Sequence, residues 1–138
     1  MSRNLPVNAS RIAEDIEALA GITEPGHPWT RRAFSPLFLD GRAYIEGRMK
    51  AAGLETRIDA AGNLIGRRTG RKPWLGTIMI GSHSDTVPDG GRFDGIAGVI
   101  SALEVARALV DQNIELDHDL EIVDFLAEEV SIFGVSCI

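Results

Sequence analysis

The sequence predicts an α/β fold with a mixed, largely parallel sheet flanked by helices. Two apolar runs, Thr77–Ile80 and Leu120–Leu126, have the composition of strands buried on both faces. Between them, Ile96–Val110 carries apolar residues at helical spacing. This order of strand, helix and strand implies a right-handed crossover and parallel pairing. The length of 138 residues corresponds to about one domain.

Two helices are predicted in the N-terminal third of the chain. Asn8 or Ser10 caps the first, which ends at Gly21. Its buried stripe consists of Ile12, Ile16 and Leu19. The second helix runs from about Ser35 to Ala52 and precedes a glycine suited to a left-handed C-terminal position. Both helices are therefore amphipathic, with one face for the core.

Two short strands follow the second helix, Leu54–Asp59 and Asn63–Arg68. The residues between them, 60–62, have the composition of a hairpin turn. The later helix presents one apolar side, formed by Val99, Leu103, Ala106 and Val110. No internal repeat or linker interrupts the chain, so residues 1–138 are predicted to form one α/β unit.

The composition is that of an ordinary globular domain, with 44% apolar and 25% charged residues. It excludes a disordered chain, a collagen-like fibre and a disulfide scaffold. The single cysteine, Cys137, has no partner for an internal disulfide, which fits a reducing compartment. No apolar run reaches the roughly 18 residues of a membrane span, and the N-terminus lacks a secretory signal. We therefore expect a cytoplasmic protein without a membrane partner.

Charge is distributed unevenly along the chain. Residues 1–72 contain 12 basic and 8 acidic residues, whereas residues 73–138 contain 2 and 12. A nucleic-acid-binding protein concentrates basic residues on one surface. Here the acidic half also carries the glycine, histidine and aspartate clusters, which favours a cation over a nucleic acid as partner. Solvated surface is the alternative explanation of this asymmetry.

Three groups of candidate ligands follow strand ends, where α/β sheets bind their ligands. His83 and Asp85 come after the first apolar strand, Asp94 precedes the long helix, and Glu128-Glu129 follows the last strand. Each group alone has an ordinary explanation. These are a structural histidine, a helix-capping aspartate and an acidic surface turn, respectively. The three glycines around Asp94 suggest a backbone held close to something bound.

Taken together, the three groups predict one metal centre at one edge of the sheet. One imidazole and several carboxylates without cysteine suit Zn²⁺, with Mn²⁺ or Co²⁺ as alternatives. The chain has no Gly-Lys-Ser/Thr sequence, and its glycine stretches do not match the dinucleotide fingerprint. Nucleotide binding is therefore not predicted.

These motifs resemble a known family, the M20-type zinc hydrolases. The matching segments are GSHSDTVP (residues 81–88), GGRFDG (90–95) and the glutamate pair, with 11 residues from His83 to Asp94 and 35 from Asp94 to Glu129. The best match is the hydantoinase/carbamoylase branch, which includes N-carbamoyl-L-amino-acid hydrolases and allantoate amidohydrolases. TRRAFS (30–35) and AGLE (52–55) also resemble this branch.

The resemblance implies a role for each site residue. His83 would bind one metal, Asp94 would bridge two, and Glu129 would bind the second. Asp85 would orient His83, and Glu128 would act as general base. The implied function is hydrolysis of a linear amide or ureido C–N bond, in an N-carbamoyl-L-amino acid, allantoate or a related ureido acid, by a hydroxide held between two divalent metals.

The resemblance also implies parts that these 138 residues do not contain. The family has two further metal-binding histidines downstream and an inserted lid and dimerisation domain. His27 and His118 lack partner ligands at metal-site spacing and are poor substitutes. We therefore expect the N-terminal portion of a catalytic domain. The full-length form is expected to be a homodimer acting on a small molecule.

As an isolated fragment, the chain is expected to be inactive and prone to association through an exposed apolar edge at Leu120–Leu126. Two alternatives are an M20 aminoacylase or dipeptidase and a truncated, non-catalytic remnant. The residues after the glutamate pair, Val130 and Ile132, depart from the small residue and arginine common in carbamoylases. The substrate subclass therefore stays open.

Overall fold

The computed structural model describes residues 4–130, and Ile132 and Cys137 lie outside them. The described chain forms a four-stranded mixed sheet packed against three helices. The helices are α1 (Ala9–Ala20), α2 (Pro36–Ala51) and α3 (Ile96–Asp111). The strands are β1 (Glu55–Ile58), β2 (Leu64–Arg68), β3 (Thr77–His83) and β4 (Asp119–Phe125), with a short 3₁₀ turn at Pro73–Leu75.

The helix boundaries follow from local capping. The Asn8 side chain accepts hydrogen bonds from the backbone N–H groups of Ser10 and Arg11, so Asn8 is the cap of α1. The Ser35 side chain caps α2, and a proline occupies the first turn. Beyond α2, Gly53 adopts a positive φ of 77°, as predicted for its left-handed position.

The strand order is β1-β2-β4-β3. β3 and β4 pair in parallel, as the crossover through α3 predicted. β1 and β2 form the predicted antiparallel hairpin, and β2 also pairs antiparallel with β4. The sheet is therefore mixed as predicted, but the parallel part of the described sheet is confined to β3 and β4. The hairpin supplies the antiparallel part.

The hydrophobic core lies between the helices and one face of the sheet. It joins apolar residues of all three helices to residues of β2 and β4: Ile16, Leu19, Ile45, Met49, Val99, Ile100, Leu103, Leu64, Leu120 and Ile122. Val99, Leu103 and Ala106 of the predicted apolar side of α3 are buried. Val110 is half-exposed at the end of the helix and is not part of this core.

Two predictions about burial are wrong. Thr77–Ile80 was expected to be buried on both faces, but β3 is an edge strand of the described sheet, and Met79 is 54% exposed. Leu120–Leu126 was expected to have an exposed edge, but β4 lies between β2 and β3 and is buried over residues 119–124. The reason is that the hairpin pairs with β4, which gives β4 two neighbours and leaves β3 with one.

Candidate metal centre

His83 is the last residue of β3, and its side chain is buried. Its Nδ1 donates a hydrogen bond to the main-chain oxygen of Asp85 at 3.0 Å, which directs Nε2 toward Asp94 and Glu128. Burial of the ring lowers its pKa, but the hydrogen bonds and charge of Asp85, with the charge of Glu128, outweigh this effect. The net result is a His83 pKa raised to about 9.

Asp94 lies two residues before the start of α3, but it is not the helix cap. The cap residue is Gly95, which has a positive φ of 64° and no capping side chain. A Cβ atom on Gly95 would come within 2.5 Å of the His83 ring. This glycine therefore lets α3 begin directly against His83, which is the close neighbour of its backbone.

The glutamate pair follows β4 after a sharp turn. Ala127 adopts a positive φ of 51°, uncommon for a residue with a side chain. After this turn, the backbone N–H groups of Glu128 and Glu129 donate to the buried Asp85 carboxylate at 3.3 and 3.1 Å. The two strand ends are thereby tied together through Asp85.

These elements bring His83, Asp94 and Glu129 together. One potential ligand atom from each side chain lies within 4.8 Å of the other two. Burial and the negative charge of Asp94 raise the pKa of Glu129, because two carboxylates at close range repel each other. One imidazole nitrogen and two carboxylate oxygens are suitable ligands for a divalent cation, which would relieve that repulsion. The residues present therefore fit a metal ion.

Glu128 lies beside this cluster. Its Oε2 atom is 3.4 Å from His83 Nε2, and its side chain is 39% exposed. Asp85 was expected to orient His83 through its carboxylate. Its main-chain oxygen makes the closer contact, whereas the nearest carboxylate oxygen is 3.5 Å from Nδ1. Asp85 thus contacts both the histidine and the glutamate pair.

The other two histidines lie outside the cluster. His27 is exposed and pairs with Asp89 in the loops, at 3.2 Å between Nδ1 and Oδ1. His118 lines a cavity of about 610 Å³ beside the start of β4, the end of that strand remote from Glu129. Within residues 4–130, one group of three or more histidine, cysteine, aspartate or glutamate side chains is close enough to hold an ion. It consists of His83, Asp94 and Glu129.

A buried hydrogen-bonded network of Arg31, Ser84 and Asp124 lies behind His83, and the sequence motifs predicted no role for these three residues. The sequence does contain a signal for Asp124, which is an aspartate within a mostly apolar strand. Such a buried carboxylate requires a polar partner. Arg31 had no comparable signal. Its burial depends on tertiary contacts with the end of α1 and with Ser84, which is 53 positions away.

Comparison with known proteins indicates the class to which this fold belongs, the peptidases and amidohydrolases of metal-dependent type. The family model described as Peptidase family M28, whose fold is M20-like, matches residues 63–136. A hydantoinase/carbamoylase family amidase from Burkholderia ambifaria superposes with a TM-score of 0.87 at 37% identity, over 94% of this chain and 32% of that chain.

Two relatives of known name are similar over nearly the whole chain. An N-carbamoyl-L-amino-acid amidohydrolase from Paenarthrobacter aurescens is 41% identical over 91% of this chain and 31% of its own length. A ureidoglycolate hydrolase from Oryza sativa subsp. japonica is 37% identical over 96% and 28%, respectively. The chain belongs to peptidase family M28 and is similar in sequence and structure to the hydantoinase/carbamoylase amidases. It spans less than a third of the length of these two relatives.

Proposed function

We propose that the full-length protein hydrolyses a linear amide or ureido C–N bond in a small N-carbamoyl or ureido acid, and that two divalent cations are required. Zn²⁺ is the proposed metal, with Mn²⁺ and Co²⁺ as alternatives. The observation that carries the proposal is the convergence of His83, Asp94 and Glu129 within 4.8 Å, with Glu128 beside them. The names of the relatives support the substrate class.

In this proposal His83 would hold one cation, Glu129 would hold the second, and Asp94 would be a ligand of both. When bound, such cations polarise the carbonyl oxygen of the substrate and acidify water. Asp85 keeps His83 Nδ1 hydrogen-bonded through its main-chain oxygen, so Nε2 is the nitrogen available to the metal. Its carboxylate holds the backbone of the glutamate pair. The distance between the two metal-binding strand ends is thereby fixed.

Glu128 is the proposed general base. Its carboxylate adjoins the cluster but is partly exposed, so it can meet a water molecule entering with the substrate. The carboxylate takes the proton from the attacking water. It then delivers that proton to the nitrogen that leaves when the C–N bond breaks. A carboxylate that binds a metal is less able to accept a proton. Metal binding and general base catalysis therefore need two different glutamates.

Replacing Asp94 with alanine tests the metal centre in the full-length protein. Asp94→Ala should remove the shared ligand, so both metals should be lost and activity should fall by more than about 100-fold. Metal content per chain is measured with hydrolysis of N-carbamoyl-L-amino acids, allantoate and ureidoglycolate. Asp89→Ala is the control, since Asp89 is an exposed carboxylate of the same loop. Retention of two tightly bound metals by Asp94→Ala would refute the assignment.

The same assay separates the proposal from its alternatives. N-acetyl amino acids and dipeptides are included as substrates. Preference for them over ureido compounds would indicate an aminoacylase or dipeptidase, and no turnover of any substrate would indicate a non-catalytic protein. The cytoplasmic location and the homodimer expected from the resemblance stay predictions.

The 138 residues alone are proposed to be inactive. Within the described part they offer one histidine and two carboxylates at the centre, whereas the resemblance implies two further histidines. We expect less than two metals per chain and no hydrolysis. Two bound metals with measurable turnover in the isolated chain would contradict this.

A further inference from the structure

We propose that Arg31 and Asp124 are positioning residues of the metal centre, which act by holding Ser84 from two sides. Ser84 separates His83 from Asp85, so its position sets where both residues lie. This inference rests on the proposed function, because it assigns what keeps the proposed ligand His83 in place. Neither Arg31 nor Asp124 belongs to the ligand cluster itself.

Arg31 holds the main chain of this segment. Its guanidinium is buried, and Nε donates to the Ser84 carbonyl at 2.9 Å. Nη1 donates to the carbonyls of Leu19 and Ile22, at the end of α1, at 2.7 and 2.8 Å. The backbone of Arg31 also exchanges hydrogen bonds with Thr86. Arg31 therefore joins the end of α1 to the loop after β3.

Asp124 holds the side chain of the same serine. Its Oδ2 accepts a hydrogen bond from Ser84 Oγ at 2.8 Å and another from Arg42 Nε at 3.2 Å. Arg42 Nη2 also donates to the main-chain oxygen of Asp124 at 2.8 Å. Ser84 is thus fixed through its carbonyl by an arginine and through its hydroxyl by an aspartate. Each of these two hydrogen bonds of Ser84 has a charged partner and is therefore charge-assisted.

Stability alone is a poor explanation of these charges. Burying ionised groups is costly, and replacing buried ionic networks with apolar residues is often neutral or stabilising. Arg31 and Asp124 are nevertheless almost completely buried. Each of them makes one side-chain hydrogen bond with Ser84, which lies between two proposed site residues. A positioning role accounts for both the burial and the choice of partners.

Gly41 of α2 provides an independent way to move Arg31. A Cβ atom at Gly41 would lie 2.8 Å from Arg31 Cδ and 3.0 Å from Nε, whereas one at Gly47 of the same helix meets nothing within 4 Å. Glycine-to-alanine changes within a helix normally favour helix formation. Gly41→Ala and Gly47→Ala are therefore matched variants that differ in whether Arg31 is displaced.

The test measures Zn²⁺ affinity by chelator competition, and the visible spectrum of the Co²⁺ form, in the full-length protein. We expect Gly41→Ala, Ser84→Ala and Arg31→Lys to weaken Zn²⁺ binding by about 10–100-fold and to change the Co²⁺ spectrum. Gly47→Ala, Ser101→Ala and Arg32→Lys are the controls. Ser101 is exposed, and Arg32 is an exposed neighbour paired with Glu24. The controls should keep wild-type affinity.

Thermal unfolding and circular dichroism are measured for each variant. Metal affinity is then measured at a temperature at which the variant is fully folded. Lowered stability with wild-type affinity and an unchanged Co²⁺ spectrum would show a merely structural role and overturn this inference alone. A wild-type protein that binds no metal would overturn the proposed function as well. If Arg31→Lys does not fold, Ser84→Ala and Gly41→Ala decide the question, because neither removes a buried charge.

Discussion

Glu128 and Glu129 are adjacent in sequence, but their side chains occupy different positions. Glu129 joins His83 and Asp94 in the candidate metal-binding cluster, whereas Glu128 lies beside it and is partly exposed. The left-handed turn at Ala127 and the two backbone hydrogen bonds to Asp85 determine this arrangement. At the scale of single residues, this geometry supports two separate roles for the pair.

Substituting each glutamate with glutamine tests this separation. Glu128→Gln should retain its metals but lose about 10²–10⁴-fold in kcat, because an amide cannot accept the proton. Glu129→Gln should lower metal occupancy as well as activity, since it removes a charged ligand. Metal content and kcat are measured on the same preparations of full-length protein. Equal metal content and equal residual rates in the two variants would contradict the assignment.

At the scale of elements, Asp15 joins the three helices. It lies in α1, and its buried carboxylate accepts hydrogen bonds from Tyr44 of α2 and Arg107 of α3, both at 2.6 Å. Arg48 of α2 adds an ion pair at 2.8 Å. The Asp15 carboxylate is thus the common partner of side chains from α2 and α3. Among these side chains, Arg107 is buried.

Removing this carboxylate should be strongly destabilising. Asp15→Ala removes the carboxylate that is hydrogen-bonded to the buried Arg107 and leaves it, among the described residues, only the ion pair with Glu104 at 3.8 Å. We expect a loss of about 3–5 kcal/mol in the free energy of unfolding. Glu14→Ala, at an exposed neighbouring position of the same helix, should change it by less than about 0.5 kcal/mol. Urea unfolding of both variants checks this. Similar values for the two would show that the network contributes little.

Asp119 links β4 to β2 and the loop that follows it. Its carboxylate accepts hydrogen bonds from the Gly70 backbone, at 2.8 Å, and from Arg67. These two bonds, the first being the larger effect, hold the pKa of Asp119 below its usual value of 3.8. The ionised form is therefore favoured in the folded state.

This shift predicts a pH dependence of stability. A carboxylate with a lowered folded pKa contributes stability above its usual pKa, and this contribution is lost as the pH falls through the folded pKa. Asp119→Asn should therefore lower Tm clearly at pH 7 and less at pH 3. Glu115→Gln, an exposed acid in the preceding loop, is the control. An equal decrease in Tm at both pH values would contradict the electrostatic explanation.

At the scale of the whole molecule, β3 is an edge strand of the described sheet with three consecutive exposed apolar residues, Ile78, Met79 and Ile80. Ile78 and Met79, on opposite faces, are 42% and 54% exposed, and β3 has a single neighbour in that sheet. No helix within residues 4–130 is long and apolar enough to cross a membrane. Exposed apolar edge strands tend to pair with other chains.

We therefore expect the isolated 138-residue chain to self-associate through β3. Met79→Lys should reduce this association, because a charged edge residue disfavours pairing. Sedimentation velocity over a range of concentrations measures the effect. Arg57→Lys, on the outer strand β1 at the opposite side of the sheet, is the control. If Met79→Lys associates as strongly as the unchanged chain, β3 is not the associating edge.

The sequence by itself determined most of the local structure. Asn8, Ser35 and Gly53 define helix ends through contacts within a few residues, so their roles are visible in the sequence. The order of strand, helix and strand predicted the parallel pair of β3 and β4. It also placed the candidate ligands after two adjacent strands and before the helix between them, so the order of elements predicts the cluster.

Only the tertiary structure decided which strand is the edge and what lies behind His83. The pairing of β2 with β4 joins segments more than 50 residues apart, and no local pattern distinguishes it from other orders. The bond from Arg31 to Ser84 spans 53 residues, and that from Arg42 to Asp124 spans 82. Local hydrogen bonds leave a signature in neighbouring residues, whereas buried charges find their partners only when distant elements pack together.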